Sequence, residues 1–192
     1  MITGVLLAAG RGDRFGGDKL SARLPDGRPI AAAAAEAMVA SLPRVVAVTR
    51  PDDEALAAVL EGAGCHVVVC ERADEGMGAS LACGVTATRA ATGWVIALAD
   101  MPAIRPATIA AIAATLAGGA RLAAPTYHGR RGHPVGFAGH FGPELAALGG
   151  DEGARHILAG HQADLEFVEV EDPGILYDID TPTDLARSAD DP

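Results

Sequence analysis

Apolar residues gather along this chain in two rhythms. Short, nearly unbroken runs rich in Val, Ile, Leu and Ala recur at about 2–8, 44–49, 65–70, 94–99, 121–125, 134–138 and 165–170, each of strand length. Between them lie longer Ala- and Leu-rich stretches near 30–42, 53–62, 78–91, 106–117, 152–160 and 182–188, which favour helix. A strand whose apolar residues do not alternate with polar ones is covered on both faces. Alternation of such strands with helices predicts an α/β fold, a mostly parallel sheet between two helical layers. The punctuation agrees. Pro106 can open one helix, Gly118-Gly119 can end it, and Thr181-Pro182 sets a cap before a helix-starting proline. No repeat of 20 to 50 residues is visible, and the expectation is one domain over 1–188 with a short polar tail at 189–192. An open sheet of this kind binds ligands outside the carboxyl ends of its strands. That singles out the loops after Ala9, after Ala99 and near Glu71.

Charge narrows the chemistry. Fifteen Lys and Arg against 25 Asp and Glu give a net charge of -10 over 192 residues, a balance that argues against a general nucleic-acid binder. The apolar stretch from Ile2 to Ala9 is too short for a membrane span and has no basic flank, so the expectation is a cytoplasmic protein with no membrane partner. Three cysteines, Cys65, Cys70 and Cys83, sit in apolar segments and are expected as reduced core thiols rather than as a disulfide framework. Against the acidic background, residues 11–28 are locally positive, with Arg11, Arg14, Lys19, Arg23 and Arg28 facing only Asp13, Asp18 and Asp26. Lys19 is the single lysine of the chain, and an ammonium is a compact point charge where a guanidinium is a planar fork.

The opening stretch "LLAAGRGDRFGGDKL", residues 6–20, runs from a strand into a loop with four glycines and three cations. It fits neither the dinucleotide fingerprint, since Gly10, Gly12 and Gly16 leave one residue too many, nor the P-loop, since Lys19 comes late and Leu20 stands where a hydroxyl is needed. Their shared physics remains: glycines let backbone N–H groups surround phosphate oxygens while cations neutralise them. "WVIALADMPAI", residues 94–104, is an apolar run that stops at Asp100. A carboxylate there lies at the ligand edge of the sheet, as a Mg²⁺ ligand or as a turn cap. "LYDIDTPTDL", residues 176–185, offers Asp178 and Asp180, with metal binding and helix capping both open for Asp180.

"EGMGASLACGV", residues 75–85, nearly spells a hydrolase elbow around Ser80, but the final glycine is missing. "GRRGHPVGF", residues 129–137, carries Arg130, Arg131 and His133, and "GGDEGARHIL", residues 149–158, carries Asp151 and Arg155. The pairs Cys65/Cys70 and His156/His161 have spacings unlike those of zinc ligands.

Taken in order along the chain, these segments resemble the molybdenum cofactor nucleotidyltransferases, most closely their cytidylyltransferase branch. The opening stretch is similar to L-A-A-G-x-S-x-R-M-G-x-x-K-L, with Gly12 for the usual serine and Phe15 for the usual methionine, and Asp100-Met101-Pro102 to D-M-P. Residues 178–185 are similar to D-I-D-T-P-x-D-L. Residues 76–84 are similar to G-M-S-x-S-L-x-x-G, with Gly78 for a usual serine. The resemblance implies a single three-layer Rossmann-like nucleotidyltransferase domain. In it Leu7, Ala8, Ala9, Gly10, Gly12, Arg14, Lys19, Gly76, Ser80 and Asp100 bind the nucleotide, with Gly76 and Gly78 giving room at the base. Arg14, Lys19 and Asp100 would be catalytic, Asp100 and Asp180 would hold Mg²⁺, and His133, Asp151 and Arg155 would face the acceptor.

The implied reaction moves CMP from CTP to the phosphate of molybdopterin or the molybdenum cofactor, releasing pyrophosphate; a molybdoenzyme or its chaperone would receive the product. Three alternatives stay open. A guanylyltransferase would normally show L-A-G-G where Leu7-Ala8-Ala9-Gly10 stands. A sugar-phosphate nucleotidyltransferase would differ only in its acceptor, and a non-catalytic cofactor carrier would release no pyrophosphate.

Overall fold

The computed structural model describes residues 1–10, 15 and 18–187. Its elements follow the two rhythms closely. In chain order they are β1 (Ile2–Leu7), α1 (Ile30–Ser41), β2 (Val45–Thr49), α2 (Glu54–Gly62), β3 (His66–Val69), α3 (Met77–Ala87), β4 (Gly93–Leu98), α4 (Pro106–Ala117), β5 (Leu122–Tyr127), β6 (Arg130–Arg131), β7 (Val135–Ala138), α5 (Gly142–Ala146), α6 (Arg155–Gly160), β8 (Leu165–Glu169) and α7 (Pro182–Arg187). The strands form one sheet in the order β3-β2-β1-β4-β7-β5-β6, with β8 also paired to β5. Strands β3, β2, β1 and β4 run parallel; β7 is antiparallel to both β4 and β5, and β8 is parallel to β5.

Both faces of the sheet are buried, which is why the strands read as unbroken apolar runs. On one face Leu6, Ala47, Val95 and Ala97 pack against Ala31, Ala35 and Met38 of α1, Leu56 and Leu60 of α2, and Ile109 and Ile112 of α4. On the other, Val5, Val46, Val48, Trp94 and Ile96 meet Leu81 and Val85 of α3, Leu145 of α5, and Ile157 and Leu158 of α6. Alternate residues of each strand therefore feed opposite layers.

Local signals account for most ends. Pro106 is the first residue of α4 and Gly119 follows its end at φ 110°, the proline-in, glycine-out asymmetry of helices. The start of α4 is also capped from afar: the buried carboxylate of Asp172 accepts from the Arg105 amide at 2.9 Å and the Thr108 hydroxyl at 2.6 Å, and its other oxygen accepts from the Gly174 amide at 3.0 Å. Helix α3 stops at Ala87, short of the expected 91, because the Thr88 hydroxyl turns back to the Gly84 carbonyl at 2.7 Å and accepts from the buried Trp94 indole at 2.9 Å. Strand β6 was not expected. It returns on β5 through His128 and Gly129, at φ 49° and 72°, the left-handed pair that a two-residue hairpin needs.

One expectation is corrected. Cys70 and Cys83 are joined as a disulfide rather than held as separate thiols, and only Cys65 is free. The chain turns back between the end of β3 and the middle of α3, bringing two Cα atoms 13 residues apart in sequence to 5.9 Å. That distance lies within the span a bridge requires.

Among the described residues, no helix is long and apolar enough to cross a membrane.

Candidate active site

The strand order reverses between β1 and β4, and the crevice lies at their carboxyl ends. Leu7 and Leu98 are register partners there, and the Ala99 amide donates to the Leu7 carbonyl at 3.0 Å, so the segments after the two strands leave side by side. A cavity of about 480 Å³ opens above them. Its walls are Leu7, Ala9 and Gly10 from β1 and its loop, Lys19 and Leu20, Arg50 after β2, Ala73, Asp74, Gly76, Met77 and Ser80 around the start of α3, Leu98 and Asp100 from β4, and Asp151.

The lone ammonium is the electrostatic centre. Lys19 Nζ donates to Asp100 Oδ2 at 2.8 Å and to Asp180 Oδ1 at 2.9 Å. Burial by itself would lower its pKa, but the hydrogen bonds and charges of the two aspartates prevail and hold it above the ordinary lysine value. Asp180 reaches this point because the Ile179 amide donates to the Asp100 carbonyl at 2.9 Å, laying the 177–181 segment along the end of β4. Helix α7 is capped by other groups: Thr181 N–H donates to Asp184 Oδ2 at 2.8 Å and Asp184 N–H to Thr181 Oγ1 at 3.2 Å, a reciprocal capping box. Of the two roles open for Asp180, capping is thus filled by Thr181 and Asp184. Asp100 Oδ1 is buried with no hydrogen-bond partner among the described residues. Such an orphan acceptor is costly unless a donor or cation meets it.

Of the residues singled out from the sequence, Leu7, Ala9, Gly10, Lys19, Gly76, Ser80, Asp100 and Asp151 line the cavity together. Ala8 lies just beneath, 2 % exposed, with its amide on the Val48 carbonyl at 2.9 Å. Gly12 and Arg14, with Arg11, Asp13, Gly16 and Gly17, lie outside the described residues. His133 is largely buried within electrostatic reach of Asp100. Burial pushes its pKa down, the charges of Asp100 and Asp178 oppose that, and its Nδ1 has no partner among the described residues. Arg155 opens α6 with an exposed side chain away from the cavity lining, and Arg130 and Arg131 form the exposed β6.

The glycines of the α3 segment differ from expectation. Gly78 does not line the cavity: its amide donates to the Gly150 carbonyl at 2.7 Å, and a Cβ there would lie 2.6 Å from the Gly149 carbonyl oxygen. Its bareness admits the 149–151 loop, which carries Asp151 to the rim. Gly10 is the opposite case, since a Cβ there would meet nothing within 4 Å among the described residues.

Arg50 and Asp74 were missed. The Arg50 side chain is 14 % exposed, pairs with Asp74 and lies 3.4 Å from Asp52, adding a charged stretch to the walls of the cavity that Lys19 also lines. The carboxyl-end rule, applied to β2 as it was to β1 and β4, would have found Arg50.

No group of three or more His, Cys, Asp or Glu side chains able to hold a metal occurs among the described residues. The pair Asp100 and Asp180 nevertheless suits a hard cation. Both are oxygen donors, one oxygen is buried and orphaned, and Mg²⁺ and similar ions commonly take one or two carboxylates with phosphate and water oxygens.

Fold and rim together define a nucleotidyltransferase-like α/β domain. Comparison with known proteins makes this specific. Residues 4–165 match the model of the MobA-like NTP transferase domain, and the chain belongs to that family of nucleotidyltransferases. It is 32 % identical to the purine catabolism protein PucB of Bacillus subtilis over 98 % of this chain and 97 % of that protein. It is 35 % identical to the phosphoenolpyruvate guanylyltransferase of Nocardia farcinica over 90 % of this chain and 81 % of that protein. Among solved structures, Rv0371c of Mycobacterium tuberculosis superposes with a TM-score of 0.86 at 29 % identity, covering 99 % of this chain and 97 % of that one. A manganese complex of the same protein superposes at 0.83 and 27 % identity, covering 100 % of this chain and 99 % of that one.

Proposed function

We propose that this protein transfers the cytidylyl group of CTP to the terminal phosphate of molybdopterin or its molybdenum form, releasing pyrophosphate. The observation that carries the reading is the rim cluster: the single lysine held between two aspartates, one with a buried orphan oxygen, at the carboxyl ends of β1 and β4. Lys19 is positioned to exchange its carboxylate partners for phosphate oxygens, and Arg14 joins it in neutralising the leaving pyrophosphate. Asp100 and Asp180 would hold a divalent ion, Mg²⁺ in the cell. When bound, that ion neutralises phosphate charge. Gly10 leaves space among the described residues in which a backbone N–H can approach a phosphate, and Gly12 would bind the nucleotide with it. Leu7, Ala8 and Ala9 give the nucleotide an apolar floor, while Gly76 and Ser80 border the base and ribose. Asp151, at the cavity rim, would face the acceptor, with His133 and Arg155, outside the lining, meeting it where it extends past the rim.

Little proton chemistry is demanded. A phosphate monoester has a second pKa of about 6, so the attacking oxygen is already ionised at neutral pH. The protein's task is to align two anions and to hold developing charge with preorganised groups. Removing such a charged contact costs about 3–4 kcal/mol in comparable sites.

The 35 % identical guanylyltransferase favours a second reading, guanylyl transfer from GTP. Incubation with Mg²⁺, all four nucleoside triphosphates and molybdenum cofactor separates them by product mass. A cytidine dinucleotide with stoichiometric pyrophosphate is expected; a guanosine product, or none, refutes the cytidylyl reading. The same assay with sugar phosphates and phosphoenolpyruvate tests the acceptor. We place the protein in the cytoplasm, delivering its product to a molybdoenzyme or that enzyme's chaperone, with neither nucleic acid nor membrane as partner.

A further inference from the structure

We infer that Cys70 and Cys83 form a reversible redox pair that sets the rigidity of one wall of the nucleotide cavity. The inference rests on the nucleotidyltransferase reading of that cavity.

The covalent loop they close carries Ala73, Asp74, Gly76, Met77 and Ser80, five of the residues that face the cavity. Cys70 anchors one end: it is fully buried, its amide donates to the Thr49 carbonyl at 2.9 Å beside Arg50, and its carbonyl accepts from the Ala73 amide at 3.1 Å. Cys83 anchors the other on α3, whose Leu81, Ala82 and Val85 are packed against the sheet. Between these anchors Ala73 and the first turn of α3 from Gly78 are buried, while the stretch 74–77 is exposed or half-buried and is held chiefly by the Gly78–Gly150 hydrogen bond at its end and the Arg50–Asp74 ion pair. Opening the bridge therefore lengthens the free span of the segment that borders the base, and closing it preorganises that segment for a ligand.

The chemistry is suited to exchange. Cys83 is partly exposed whereas Cys70 is buried, so a low-molecular-weight disulfide would be attacked by the Cys83 thiolate, releasing one small thiolate and leaving a mixed disulfide. Cys70, as thiolate, then attacks the Cys83 sulfur and expels the second small thiolate. Two protein thiols are oxidised, one small disulfide is reduced to two thiols, and the two protons go to those thiols. A dithiol reverses the sequence. Cys65 stays a spectator, because burial pushes its thiol up to about 11 and keeps it protonated. In a reducing compartment such a pair is open at rest and closes under oxidation, the usual behaviour of transient cytosolic disulfides.

The test uses the full chain equilibrated in glutathione buffers from fully reduced to fully oxidised. One aliquot of each sample is alkylated under denaturing conditions and weighed intact, and a second, native aliquot is assayed for CTP binding with Mg²⁺ by calorimetry and for hydrogen exchange at the amides of residues 71–80. One alkylated cysteine is expected in the oxidised form and three in the reduced form. CTP should bind about tenfold more tightly to the oxidised form, within the usual span of two-state couplings, and the 71–80 amides should exchange more slowly in it. Cys83→Ser should bind CTP like the reduced protein in every buffer. Three alkylatable cysteines throughout, or equal exchange at 71–80 in forms whose masses differ, would overturn the inference. Absence of CTP binding in both forms would instead refute the cytidylyl reading, leaving the mass and exchange results to decide this one.

Discussion

Replacing Lys19 with methionine should push stability and ligand affinities in directions that only a bridging ammonium explains. The variant keeps an unbranched side chain of similar length but leaves two carboxylates close together without their shared cation. The Lys19, Asp100 and Asp180 side chains are 10 %, 21 % and 38 % exposed, between a buried pair, whose breakage costs about 3–5 kcal/mol, and a surface pair worth about 1 kcal/mol or less. A loss of about 2 kcal/mol follows. In a chain of this size that lowers Tm by roughly 4–8 °C. Manganese or magnesium alone should then raise the Tm of Lys19→Met by more than it raises that of the parent, because a vacated dicarboxylate accepts a cation that the ammonium otherwise excludes. CTP affinity should move the other way and fall about tenfold or more, since a triphosphate loses its ammonium. Thermal melts with and without MnCl₂, with calorimetric titration of CTP, read all of these. A variant that melts with the parent and shows no added response to Mn²⁺ would refute the reasoning, since Lys19 would then hold nothing at the rim together.

Other outcomes test separate parts of the structure. Gly10→Ala should leave Tm unchanged, because its new methyl meets nothing within 4 Å among the described residues, yet weaken CTP binding about tenfold by obstructing backbone approach to phosphate; equal calorimetric affinities would discount that approach. Gly78→Ser, which restores the residue usual in the resembling family, should cost about 1–3 kcal/mol by colliding with the Gly149 carbonyl, measured by urea unfolding. Asp172→Ala should lose about 3 kcal/mol and unravel the start of α4, since three buried donors lose a charged acceptor; far-ultraviolet dichroism and urea melts check this. Cys65 governs part of the alkaline limb. Its folded pKa of about 11 lies above the ordinary 9.0, so the stabilisation is complete below pH 9 and drains away as pH climbs from 9 through about 11. Cys65→Ala should therefore lose less stability than the parent between pH 8 and pH 10, and equal losses in urea titrations would count against a buried neutral thiol.

The fold was legible because its physics is local and repetitive. Strands buried on both faces must be apolar throughout, so β1, β2 and β4 could be read within a residue or so of their ends, and Pro106 and Gly119 marked α4 by backbone chemistry alone. The rim was legible where one residue type contradicted its surroundings: a carboxylate ending an apolar run at Asp100, and the single lysine of an acidic chain at Lys19. What escaped was set by encounters between distant segments. Asp172 caps a helix whose first residue lies 66 positions earlier, and nothing around "EDPGIL" announces that partner. The Cys70–Cys83 bridge depends on how β3 turns into α3. The use of Gly78 depends on a loop some 70 residues on, so a glycine that looked like room for a base is room for Gly149 and Gly150. Arg50 stands just past the end of β2 and carries the same strand-end signal as Asp100, but an arginine in a chain rich in arginine does not contradict its surroundings.

The same rim suggests why a strongly acidic protein can host a reaction between anions. Two carboxylates at one strand end repel each other and any approaching phosphate, and with Lys19 between them that repulsion is largely cancelled while the site waits. A nucleotide arriving with its divalent ion allows an exchange of partners in which no charge is stranded: the ammonium leaves the carboxylates for phosphate oxygens, and the carboxylates receive the cation that came with the phosphates. The nucleotide–metal complex is itself anionic, so the cavity gains negative charge, but each buried charge exchanges one opposite partner for another and Lys19 is never left unpaired. Triphosphate without its ion, or the ion without triphosphate, would leave one side of the exchange unmatched. Metal and nucleotide should therefore bind with positive coupling, each raising the affinity of the other by the same factor, and Lys19→Met should weaken that coupling, because the metal then binds without first displacing an ammonium.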